Sequence, residues 1–123
     1  MQGDYKMKNK SITLDREKLK LEMLNCAGVE YFRHNDKVYV NMLDILFDMQ
    51  FYISEDEWRK YSEKACEIKV VGHTGTCDLF ISLGKLLKIA KNMDLLEFVD
   101  FPEIDSRTLF DFIHNVIFEL NLL

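Results

Sequence analysis

The chain has 123 residues, 48% of them hydrophobic, 12% aromatic and 30% charged. This suffices to bury a core in one domain without disulfides or metal, and is too aromatic for a disordered chain. The formal net charge of −5 announces no nucleic-acid binder, and three irregularly spaced cysteines, Cys26, Cys66 and Cys77, give no disulfide framework and point to a reducing compartment.

No apolar run approaches the ~18 residues of a membrane span, and the amino-terminal segment lacks the apolar core of a secretory leader. A cytoplasmic or nuclear protein is therefore expected. The charge is uneven. Residues 94–123 hold seven acids and one base, Arg107, whereas residues 1–93 hold 15 bases and 14 acids.

Residues 1–12 read as a basic tail, with Lys6, Lys8 and Lys10 alternating. Leu14–Ala27 reads as a helix, capped by Thr13 or Asp15 and stopped at Gly28. Val29–Arg33 and Val38–Val40 are strand-like runs about Asn35 and Asp36, which suits a β-hairpin. From Asn41 the period changes. Met42, Ile45, Leu46 and Met49 fall at i, i+3, i+4 and i+7, so a helix follows the strand, with Asn41 as its cap and Asp44 in its first turn.

Ser54 and Glu57 form a capping box that opens a helix to about Cys66. Trp58 and Tyr61 face inward on it, and Arg59, Lys60 and Lys64 lie on its polar side. Ile68–Val71 and Leu79–Ile81 read as strands about a loop at 72–76. Ser82 starts a helix with Leu83, Leu86, Leu87 and Ala90 on one face and Lys85, Lys88 and Lys91 on another. Pro102 marks a linker. Asp105 or Ser106 caps a last helix to about Leu120. Its apolar set comprises Leu109, Phe112, Ile113, Val116, Ile117 and Leu120 on one side and Phe110 and Phe118 on another.

The expected architecture is α+β, a small antiparallel sheet with a β-hairpin packed against four to five helices. Residues 13–104 form the main domain, and residues 105–123 an apolar helix packed on it or on a partner.

Enzyme constellations fail one by one. Cys66, His73 and Cys77 supply three ligands at spacings unlike the paired ligands of zinc sites. Cys26 and Cys66 are better read as packed small hydrophobes. The loop from Gly72 to Thr76 lacks the lysine and hydroxyl of a phosphate-cradling loop. Asp44 and Asp48 flank the wet side of their helix and read as solvated charge. His34 reads as a turn residue and His114 as the edge of a packing face. No cofactor, metal or small-molecule substrate is expected.

The order of segments resembles the BRO-N domain of baculovirus repeated-ORF proteins and phage antirepressors, which is related to the KilA-N group. Tyr39, Asp44, Met49 and Phe51 stand at the aromatic, acid, leucine and closing aromatic of that family's W-F-x-x-x-D-x-x-x-x-L-x-Y signature. The run from Phe80 to Gly84 and the helix to Asn92 are similar to its F-I-N-x-x-G segment and leucine-rich helix. Glu97–Val99 and Val99–Ile104 are similar to its E-x-F and V-L-P-x-I stretch. Gln50 replaces the family's glycine, and its tryptophan beside the proline segment is missing.

The resemblance implies a non-enzymatic viral regulator that binds single- or double-stranded DNA in the cytoplasm or nucleus of an infected cell. Arg33, Lys37, Arg59, Lys60, Lys64, Lys85, Lys88 and Lys91 are the residues expected to contact phosphate. The alternative is an acidic interaction or dimerisation module, with Phe110 and Phe118 meeting a second copy.

Overall fold

In the computed structural model, residues 11–49, 55–91 and 106–122 are described, with the backbone alone at 46–49, 90–91 and 106–110. The basic segment 1–10, Phe51, Ser54 of the capping box and the linker about Pro102 lie outside them. So do the side chains of Ala90, Lys91, Leu109 and Phe110.

The hairpin forms as expected. Strands β3 (Glu30–His34) and β4 (Lys37–Asn41) are joined by Asn35 and Asp36, whose φ angles are 51° and 65°. Two adjacent residues at positive φ make the turn whose twist matches that of the flanking strands, and Asn and Asp tolerate it best. β4 runs straight into α1 (Met42–Met49), and the Asn41 carboxamide oxygen caps it by accepting from Leu43 N at 3.0 Å. β5 (Ile68–Val71), β6 (Cys77–Ser82), α2 (Glu55–Ala65), α3 (Leu83–Lys91) and α4 (Ser106–Glu119) also lie where the sequence pattern places them.

The sheet departs from expectation. It has six strands in the order β1-β5-β6-β4-β3-β2 and is mixed, because β1 (Ile12–Asp15) pairs parallel to β5. β2 (Glu22–Met23) and the second half of β1 fall in the stretch expected to be a helix, and Ile12 in the segment expected to be a tail. Only one 3₁₀ turn, Arg16–Lys18, separates the two strands, capped by the Asp15 carboxylate accepting from Glu17 N. The reason is tertiary. Leu14, Leu19 and Leu21 cover one face of the sheet, and Leu24 is buried in the core on the other. A single helical stripe cannot serve both faces, so packing overrides helix propensity. Gly28 lies in a bend ahead of β3 and stops no helix.

Strand alternation divides the core. Tyr31, Val38, Val40, Leu79 and Ile81 face the helices, where Met42, Ile45, Trp58, Leu86, Phe112, Ile113 and Val116 are buried with them. Phe32, Tyr39, Ile68, Val70 and Phe80 form the second cluster. In it Phe32 stacks on Tyr39 at 5.6 Å and meets Phe80 edge-on at 4.9 Å. Such pairs contribute about 0.5–1.5 kcal/mol beyond their burial. Arg16 spans the same side, paired with Glu30 and with Asp78 at 3.0 Å.

Three smaller expectations are corrected. Cys26 is exposed, since it lies in the loop before β3, whereas Cys66 is buried as expected. Asp44 is half-buried and accepts from Glu30 N at 3.1 Å, so it is not a solvated charge; burial pushes its carboxyl up, partly offset by that N–H. His114 is exposed on the outer side of α4.

Helix α4 is fastened at its end. The Glu119 carboxylate accepts from Asn25 N and Cys26 N, each at 2.7 Å. The Asn25 N–H, aided by the Cys26 thiol and N–H and opposed by partial burial, pulls its carboxyl below the ordinary value. A carboxyl lowered in the folded state contributes stability above its unfolded value, and this is lost as pH falls through the folded one. Glu119→Gln is therefore expected to lower the denaturation midpoint near neutral pH, by a margin that shrinks as the pH falls below the ordinary glutamate range. A deficit that stays constant as the pH falls would show that the charge plays no part.

Candidate functional site

The register between β4 and β6 builds the site. Tyr39 pairs with Ser82 in antiparallel sense at the end of the ladder, just before α3 begins at Leu83. The hairpin tip thereby meets the amino end of α3. The Ser82 hydroxyl caps that end by accepting from Lys85 N at 3.3 Å. Between the two lies a cleft of about 620 Å³, lined by Asp36, Lys37, Val38, Glu67, Ser82, Leu83, Gly84, Lys85, Lys88 and Leu122. This is within the ordinary size range of ligand clefts.

Each lining group has a local cause. Asp36 and Lys37 are held by the two-residue turn. Glu67 lies in the two-residue connection between α2 and β5, and its carboxylate accepts from Ser82 N at 2.7 Å. The Lys85 ammonium donates to the Ala65 carbonyl at 2.9 Å, at the carboxyl end of α2, where the helix dipole favours a cation. Leu122 is set by the stop of α4. Asn121 has φ 56°, its N–H donates to Phe118 O at 3.2 Å, and Leu122 N donates to Ile117 O at 3.0 Å. This satisfies the last carbonyls and turns the chain back.

Of the eight expected phosphate contacts, Lys37, Lys85 and Lys88 come together in this cleft. Arg33 is exposed on β3 and lies outside the lining. Arg59, Lys60 and Lys64 are exposed on α2 beside Glu55, Asp56, Glu57 and Glu63, four acids against three bases. That face is no basic stripe. Phe118 is 82% exposed on α4.

Sequence reasoning missed Asp36, Glu67 and Leu122 as cleft residues. The two acids leave the lining with three cations and two anions, a formal excess of one positive charge. Among the described residues, no group of three or more His, Cys, Asp or Glu side chains is placed to hold a metal ion, and no helix is long and apolar enough to cross a membrane. Exposed His73 lies against Glu17.

Compared with protein-family models, with curated proteins and with solved structures, the chain matches none.

Proposed function

We propose that the chain is a non-enzymatic nucleic-acid-binding module that grips the phosphate backbone in the cleft between the β3–β4 turn and α3. The observation that carries this reading is the convergence of Lys37, Lys85 and Lys88, from parts of the chain far apart in sequence, on one concave site. Three cations at one mouth attract a phosphodiester chain, and Val38, Leu83 and Leu122 offer an apolar wall to the sugar and base beside it. The BRO-N-like order of segments favours the same reading and extends it to a viral regulator acting in the cytoplasm or nucleus of an infected cell. Titration of a labelled single-stranded oligonucleotide at low salt tests it. Saturable binding that weakens steeply with added salt is expected, and its absence at low salt overturns the reading.

A second reading has its own observation. Phe118 is 82% exposed on α4 and Leu122, just past the stop of that helix, is 40% exposed, so the carboxyl end of α4 offers an apolar contact for a second copy. Light scattering on the wild type and on Phe118→Ser is the test. A dimeric mass that falls to monomer in the variant supports it, and a monomeric mass in both removes it.

A further inference from the structure

We infer that the cleft's own carboxylates, Glu67 and Asp36, bias it against doubly charged phosphomonoesters relative to singly charged phosphodiesters. The inference rests on the cleft being a phosphate site. It names the phosphate class that such a site disfavours.

Glu67 is the better fixed of the two. Its Oε1 accepts from Ser82 N at 2.7 Å, so a carboxylate of the chain itself already stands at the amino end of α3. That is where exposed amides and the helix dipole would otherwise draw a ligand's phosphate. The ligand is left to the lysines, and the Lys85 ammonium also serves the Ala65 carbonyl. Asp36 holds the second carboxylate at the turn, where its positive φ fixes the backbone.

Three lysines against two acids leave one positive charge in the lining, so the carboxylates cancel much of the lysines' pull. A phosphodiester carries one negative charge. A phosphomonoester carries about 1.5 to 2 near neutral pH. Repulsion from a fixed carboxylate scales with the charge of the ligand. Removing that carboxylate therefore helps the monoester more than the diester.

Glu67→Gln is the sharpest probe, because its amide oxygen still accepts from Ser82 N. Anisotropy with a labelled single-stranded oligonucleotide lacking terminal phosphates reports diester binding, and competition by a nucleoside monophosphate reports the monoester. In Glu67→Gln the oligonucleotide is expected to bind about threefold tighter and the monophosphate about tenfold tighter, so the ratio of affinities shifts toward the monoester. Asp36→Asn, which suits the same turn, is expected to shift it likewise, and serves alone if Glu67→Gln unfolds. An unchanged ratio in the folded variants, with oligonucleotide binding intact, overturns the inference and leaves the phosphate reading standing. Oligonucleotide binding that is absent, or unaffected by Lys88→Glu, overturns both.

Discussion

Trp58→Ala is expected to cost about 3–5 kcal/mol of folding stability, the range for deleting a buried tryptophan side chain. Trp58 is 1% exposed, and its indole Nε1 donates to the Met42 carbonyl at 2.7 Å. It thus joins α2 to the first residue of α1 by both packing and a hydrogen bond. Tyr61 lies beside it at 5.7 Å, in surroundings dry enough for burial to push the phenol up to about 12. A loss of that size is a large share of the roughly 5–15 kcal/mol that holds a domain of this size together. Trp58→Phe keeps most of the ring and loses the donor, so a smaller cost of about 1–2 kcal/mol is expected. Because Trp58 is the only tryptophan, unfolding of the variants is best followed by circular dichroism in denaturant. A Trp58→Ala midpoint equal to that of the wild type would contradict the packing described. The consequence reaches the cleft, since α2 supplies the Ala65 carbonyl that anchors Lys85.

Reversing Lys37 and Lys88 together to Glu is expected to weaken oligonucleotide binding about a hundredfold at low salt. The lining would pass from one positive charge to three negative, because Lys85 alone would then face Asp36, Glu67 and the two new glutamates. Both side chains are exposed, so folding is expected to survive, and unchanged denaturation midpoints check this. Lys85 is unsuited to the experiment. Its ammonium caps α2, and its reversal would disturb fold and site at once.

The parts of the fold legible in the sequence are those set by local chemistry. Asn35 and Asp36 announce the turn, Asn41 and Ser82 announce helix caps, and the spacing from Leu83 to Lys88 announces an amphipathic helix. The first strands were not legible. The apolar residues of this stretch are split between two faces of the sheet, and the partner of β1 lies more than 50 residues away in β5, while β2 pairs with β3. The site was half legible. A stripe of lysines on α3 is visible as a stripe, but its meeting with Lys37 depends on the register of β4 against β6, a tertiary fact. Glu67 carries no local signal at all. Its role appears only when β5 is laid beside β6 and its carboxylate reaches Ser82 N. For Arg59, Lys60 and Lys64, the interleaved acids of α2 were present in the sequence and make that face a mixed one.

The most direct measurement is the slope of log affinity against log salt for a single-stranded oligonucleotide, taken for the wild type and for Lys37→Gln/Lys88→Gln. With two to three phosphates neutralised, the wild type is expected to give a slope of about −2, and loss of two lysines should reduce it by about 1.4. The same slope and affinity in both proteins would contradict the assignment of phosphate binding to this cleft.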